Sequence, residues 1–121
     1  MKFLKCNECG AILQVIKDAA DCCIKGYTEI IPGTTDAAVE KHVPAITVDG
    51  AKVSVAVGEV AHPMADVHYI EWIVIETEKG SQMATLKPGD DPKAEFVLAD
   101  GDKLIAAYAY CNLHGLWKKE A

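Results

Sequence analysis

An all-β fold is predicted for this chain, either an antiparallel sandwich or a barrel, and three features of the sequence predict it. Residues 52–57, KVSVAV, alternate so that Val53, Val55 and Val57 share one face of a strand. Turn signals rich in Gly, Pro and Asp recur between short apolar runs. No segment keeps a 3.6-residue apolar period over three turns, although TTDAAVEKH has room for a short helical turn.

The remaining strands are predicted from the runs that follow. HYIEWIVIETEKG is β-branched and aromatic, and it is apolar on both faces from Trp72 to Ile75, as a central strand would be. SQMATLKPGDDP predicts a shorter strand and a turn. AEFVLADGDKLIAAYAYC predicts two strands around Asp100 and Gly101, and an Asp-Gly pair in that context indicates a hairpin. Residues 24–44, with their Gly, Pro and Thr, are predicted to form a linker followed by a loop.

Length and charge restrict the classes of partner. A chain of 121 residues is one ordinary domain, or one domain with a small appendage. The net charge is −6 and all 12 basic residues are lysines, so a nucleic-acid partner, which needs a basic stripe, is not expected. An anionic substrate would need a local cationic patch. The start, MKFLKCNECG, has no apolar region typical of a signal peptide and no run could span a bilayer, so we expect a cytosolic protein without membrane association.

Cysteine and histidine positions carry the chemistry. Five cysteines in a cytosolic chain favour metal or redox use over a disulfide framework. Four of them, Cys6, Cys9, Cys22 and Cys23, lie in the first 23 residues. The fifth, Cys111, lies three positions before a histidine in CNLHGLW. All the histidines lie in or beside loops next to predicted strands: His42, His62, His68 and His114.

A histidine taken singly is usually a surface residue or a satisfied core residue, but here none is left over. Four imidazoles and one thiolate make a set of five ligands, whereas structural zinc normally takes four. Five ligands favour a redox iron with one open position. Two alternatives stay open. One is an electron carrier with a rubredoxin-like cysteine cluster and a copper site, although no Met follows His114 as such a site requires. The other is a non-catalytic zinc protein.

Three stretches, EKHVP, AHPMADVHYIEW and CNLHGLW, resemble the signatures of the superoxide reductases of the desulfoferrodoxin/neelaredoxin family, from about residue 38 to the end. The resemblance implies an immunoglobulin-like antiparallel β-sandwich. It implies one-electron reduction of superoxide to hydrogen peroxide, with a rubredoxin-like or other small electron donor, in a homodimer or homotetramer. It also implies a mononuclear iron held by four equatorial histidines and an axial cysteine: His42, His62, His68, His114 and Cys111.

The same resemblance gives roles to Lys41 and Glu40, which precede the first histidine. The lysine would attract superoxide, and the glutamate would occupy the open position of oxidised iron. Residues 1–33 resemble a desulforedoxin-like domain, and residues 34–121 would form the reductase sandwich. The four N-terminal cysteines would hold a second iron, with zinc, no metal or a Cys22–Cys23 disulfide as alternatives. The 12 residues between Cys9 and Cys22 are fewer than the family pattern has.

Overall fold

The computed structural model describes residues 1–19 and 24–121, and it divides the chain into two compact units, Met1–Ile31 and Pro32–Ala121. The first unit contains one antiparallel sheet in the order β2-β1-β3, formed by β1 (Lys2–Cys6), β2 (Ile12–Val15) and β3 (Tyr27–Glu29). The linker prediction was wrong for β3, because a strand of three residues is too short to show alternation. No helix in the described ranges is long and apolar enough to cross a membrane.

The second unit is a sandwich of two antiparallel sheets, which confirms the all-β prediction. The larger sheet has the order β10-β9-β6-β7 and the smaller has the order β4-β5-β8, a division of four and three strands as in immunoglobulin-like folds. The elements of residues 32–121 are α1 (Val39–His42), β4 (Pro44–Asp49), β5 (Lys52–Val57), β6 (Ile70–Thr77), β7 (Gly80–Thr85), β8 (Lys93–Val97), β9 (Leu104–Cys111) and β10 (Gly115–Glu120).

Alternate residues of both sheets point inward and form one buried cluster. Val53, Val55 and Val57 of β5 are completely buried, as their alternation predicted. Strand β6 lies between β9 and β7, which confirms its central position. Cys111 belongs to the same core cluster. Its sulfur is therefore held by close packing, which restricts side-chain motion.

The hairpin predicted around Asp100 and Gly101 was wrong. The tight turn itself forms, with the amide of Asp102 donating to the carbonyl of Ala99 at 3.0 Å. However, β8 pairs with β5, whereas β9 pairs with β6 and β10, so the connection crosses from one sheet to the other. An Asp-Gly pair determines the local turn and not the sheet that each flanking strand joins.

Strands of both sheets end at the same end of the sandwich, which brings the connecting loops together. In the smaller sheet Pro44 pairs with Val57, and in the larger sheet Cys111 pairs with both Ile70 and Gly115. Helix α1, the loop of residues 58–69 and the turn of residues 112–114 therefore all leave the sheets at the same end. The predicted helical turn in TTDAAVEKH is confirmed as α1.

Candidate metal centre

Five side chains converge at this end of the sandwich. Their potential ligand atoms all lie within 4.8 Å of one another, and they belong to His42, His62, His68, Cys111 and His114. The structure thus brings together every histidine of the chain with the one cysteine outside the N-terminal cluster. None of the histidines is idle, so the copper arrangement of two His, one Cys and one Met does not describe the group.

The tautomers of two rings follow from their hydrogen bonds. The Nδ1 of His42 lies 2.7 Å from the carbonyl oxygen of Ala38, and the Nδ1 of His62 lies 2.7 Å from that of Pro63. A carbonyl oxygen only accepts, so in both neutral rings Nδ1 carries the proton and Nε2 presents a lone pair. Those two Nε2 atoms face each other at 3.1 Å. Two lone pairs at this distance repel unless a cation lies against both.

The four rings stand around a common centre in the order His42, His62, His68, His114. Neighbouring centroids are 4.6 to 5.1 Å apart, with interplanar angles of 77° to 88°. His42 and His68, which are opposite each other, are 6.4 Å apart and only 28° from parallel. Each ring is thus turned edge-on to its neighbours, so that one nitrogen of each faces inward. His68 Nε2 is buried and has no hydrogen-bond partner.

Cys111 provides the fifth donor, and its sulfur lies 3.8 Å from the Nδ1 of His114. Burial raises the pKa of this thiol, while the backbone amides of Leu113 and His114 act in the opposite direction. Without a metal the thiol is therefore protonated at neutral pH. A bound cation would deprotonate it, since a thiolate is the ligand form.

Burial has the opposite consequence for the imidazoles, because it disfavours their charged form. It lowers the pKa of His42 and of His68, and it lowers the pKa of His62 to about 4. The backbone carbonyls of Ala38 and Pro63 offset only part of this effect. These rings are neutral at pH 7, which is the state that binds a metal.

Gly58 lets the backbone of α1, the helix that contains His42, lie close to the loop after β5. A Cβ at this position would lie 2.7 Å from the carbonyl oxygen of Glu40 and 2.9 Å from that of Val43. The amide of Val60 donates to the same Glu40 carbonyl at 3.0 Å. The backbone of the loop after β5 therefore packs directly against the backbone of α1. This role could not be predicted from the sequence, since a Gly after a strand usually marks a turn.

Trp117 supports two of these histidines at once. Its ring lies 5.0 Å from that of His42, and its indole N–H donates to the carbonyl of His114 at 3.1 Å. Gly115, with φ of +75°, lets the chain turn directly after His114. The turn that contains Cys111 and His114 is thus fixed from the β10 side.

The other predicted site residues have different surroundings. Glu40 and Lys41 are exposed on α1, next to buried His42. In the first unit the amide of Cys9 donates to the sulfur of Cys6 at 3.5 Å, and backbone hydrogen bonds lower the pKa of Cys6. The predicted partners Cys22 and Cys23 lie outside the described residues, so the four-thiolate site stays a prediction.

The donor set fits an iron ion. Four imidazoles and one thiol converge on a common point, and the hydrogen-bonded Nδ1 atoms of His42 and His62 are turned away from it. Closed structural zinc sites are tetrahedral and use four ligands, one fewer than are present. Imidazole and thiolate ligands both suit iron. Residues 34–120 match the family model described as desulfoferrodoxin.

The chain belongs to the desulfoferrodoxin family. It is 46% identical over 122 residues to a desulfoferrodoxin homolog of Archaeoglobus fulgidus, covering 98% of this chain and 95% of that protein. It is also 46% identical over 125 residues to the desulfoferrodoxin of Nitratidesulfovibrio vulgaris, with coverage of 99% and 96%. Among solved structures, the superoxide reductase of Treponema pallidum matches with a TM-score of 0.81 and 37% identity, over 97% of this chain and 98% of that one.

Metal uptake should release a proton from Cys111. At pH 7 the thiol is protonated and the buried imidazoles are neutral, so binding Fe(II) displaces about one proton per chain at this centre. We expect Cys111→Ser to lower the measured release by that amount, because a serine hydroxyl keeps its proton. Anaerobic titration of the full chain in a weakly buffered indicator solution measures the difference. Equal release by both proteins would contradict the geometry.

Gly58→Ala should displace α1 and weaken the centre. The added methyl group meets two backbone carbonyls, and overpacking of this kind costs about 1–3 kcal/mol. Gly50→Ala is the control, since a Cβ there meets nothing within 4 Å and only its φ of +59° resists substitution. Denaturant unfolding followed by tryptophan fluorescence, together with competition against an iron chelator, compares the two variants. If both bind iron equally well, Gly58 does not position α1.

Proposed function

We propose that this protein is a superoxide reductase, which reduces superoxide to hydrogen peroxide by one electron. The single observation that carries the proposal is the convergence of four imidazoles and one thiol within 4.8 Å, with two Nε2 lone pairs facing each other at 3.1 Å. Such a group is unfavourable unless a cation binds to it. Membership of the desulfoferrodoxin family and the match to the Treponema pallidum superoxide reductase support the same function.

The iron would be held by the inward nitrogens of the four histidines and by the Cys111 sulfur. Ferrous iron bound there would supply the electron that, with two protons, converts superoxide to hydrogen peroxide. The chain offers five donors, which leaves room for one small anion in the coordination sphere of iron. The packed core around Cys111 and the carbonyls behind His42 and His62 keep the donors in place whether or not that anion is present.

Lys41 would draw the substrate to this position. Its positive charge contributes to lowering the pKa of both His42 and His68, so its field reaches two sides of the centre. The net charge of −6 repels anions over the protein as a whole. An exposed lysine still acts over a Debye length of about 8–10 Å, which is enough to favour superoxide near α1.

Glu40 would act as a replaceable ligand of the oxidised iron. Glu40 lines a cavity of about 510 Å³ together with Val39, Val43, Glu59 and Lys119, among others. This open space beside α1 gives the Glu40 side chain room to move away from the metal. A carboxylate that leaves on reduction would keep the position free for superoxide when the electron is available.

The N-terminal unit and the partners are proposed on the family resemblance. Residues 1–33 would form a desulforedoxin-like domain whose cysteines 6, 9, 22 and 23 hold a second iron or zinc, and residues 34–121 would form the catalytic domain. A rubredoxin-like or other small protein would return the electron. A homodimer or homotetramer in the cytosol is the proposed working form, since reduced thiols suit that compartment.

The yield of products tests the proposed function. Iron-loaded full-length protein, supplied with electrons under anaerobic conditions, should form one hydrogen peroxide per superoxide and no dioxygen. A dismutase would form one peroxide and one dioxygen from two superoxide ions. The zinc-loaded chain is the control, because it has the same donors without redox chemistry. Release of dioxygen in proportion to peroxide would overturn the proposal.

Lys41→Ala should slow the second-order reaction with superoxide by roughly 3- to 10-fold at low ionic strength and flatten its dependence on salt. Lys79→Ala is the matched control, because it removes the same charge beyond the far end of β6, roughly 25 Å away along the strand. Pulse radiolysis measures both rates. Equal rates for the two variants would remove Lys41 from substrate capture.

A further inference from the structure

Within the part of the chain that the structure describes, Asn112 makes three hydrogen bonds to the two neighbours of His68. Its backbone amide donates to the carbonyl of Tyr69 at 3.2 Å. Its side-chain Oδ1 accepts the amide of Tyr69 at 3.0 Å, and its Nδ2 donates to the carbonyl of Val67 at 3.1 Å. One residue therefore fixes the chain immediately before and immediately after a ligand that lies more than 40 positions upstream.

The orientation of the His68 ring depends on its backbone more than the orientations of the His42 and His62 rings do. Those two rings are oriented by a carbonyl oxygen on the outer nitrogen. Within the described residues no hydrogen bond is made by the ring of His68, and its buried Nε2 has no partner. The backbone of His68 forms two hydrogen bonds with that of Ala65, at 2.9 and 3.0 Å. The direction of the imidazole is thus set by how the chain is held on either side.

The pairing of β6 with β9 ends close to His68. Ile70 pairs with Cys111, and beyond that pair the backbone amide of Asn112 still donates to the carbonyl of Tyr69. The side-chain amide of Asn112 extends this contact past His68 to Val67, because one end of it accepts and the other donates.

We infer that Asn112 is a positioning residue that aims His68 at the metal and couples the loop of residues 58–69 to the strand end that carries Cys111. The inference rests on the proposed function, since it concerns the same centre. Asparagine suits the position because neither aspartate, which has no donor, nor leucine, which has neither group, makes both side-chain bonds. The Cys111 sulfur and the His68 imidazole are thereby held by a single turn of residues 111–114.

Iron release and the iron spectrum test this role. Partners that orient a ligand are worth about 10- to 100-fold in metal affinity, so Asn112→Ala should lose iron to a chelator faster by that factor. Its thiolate-to-iron absorption band and the rhombicity of its ferric EPR signal should also change, because His68 turns. Asn112→Asp, which keeps the shape and the acceptor for Tyr69, should show a smaller change in the same direction. If the alanine variant does not fold, the aspartate variant decides.

A double-mutant comparison separates aiming of His68 from general support. In a His68→Gln background Asn112→Ala should have little further effect on iron release, whereas in a His62→Gln background the full effect should persist. Equal effects in both backgrounds would overturn the inference. Asn7→Ala is the matched control, since Asn7 also follows a cysteine and its Oδ1 accepts the hydroxyl of Thr28 at 2.6 Å in the first unit.

The two proposals fail in different ways. If the wild-type chain loaded with iron never develops a thiolate-to-iron band on oxidation, the proposed function is wrong. If the wild type develops the band and Asn112→Ala matches it in band position, EPR signal and rate of iron release, only the role of Asn112 is wrong. Asn7→Ala should match the wild type in the band of the five-donor centre.

Discussion

Mutual repulsion between inward-facing donor atoms is the constraint on which the second unit depends. Lone pairs on His42 and His62 meet at 3.1 Å, and the Nδ1 of His114 approaches His42 Nε2 at the same distance. Nothing in the local chain favours such crowding. It persists because the outer nitrogens of His42 and His62 donate to carbonyls and because Cys111 is part of the buried core. The sandwich thus supplies the free energy that keeps a cation site open.

The supports of the centre differ from ligand to ligand, and each comes from a different part of the fold. His42 is held by α1, which packs by backbone contact on Gly58. His114 is held by the turn into β10 and by Trp117. Supported by regular elements in this way, donors are positioned more precisely than by loops alone. The side of α1 that carries Glu40 and Lys41 is exposed to solvent.

Much of the fold and the whole five-donor group could be predicted from sequence. The alternation of Val53, Val55 and Val57 predicted which face of β5 is buried. Because the chain has only four histidines and each lies beside a predicted loop, their convergence on one site was the simplest interpretation. The pairing of strands was harder, because Asp100–Gly101 encodes a turn that leads from one sheet to the other. Strands β4 and β10 were not predicted, although Asp49–Gly50 marks the hairpin into β5. Asn112 and Gly58 act through backbone atoms of distant residues, and no pattern within one segment reports such contacts.

The separation of the candidate ligands along the chain has a consequence for the stability of the fold. His42 and His114 are 72 positions apart, yet their nitrogens lie 3.1 Å from each other. A metal ion that binds both closes a loop of that length, as a disulfide would, and the entropy it removes from the unfolded chain grows with the logarithm of loop length. The ion would therefore act as a reversible cross-link of the sandwich. Loss of the ion would then lower the free energy of unfolding as well as stop catalysis. Without it, the donor atoms repel one another and the loop between His42 and His114 is no longer cross-linked.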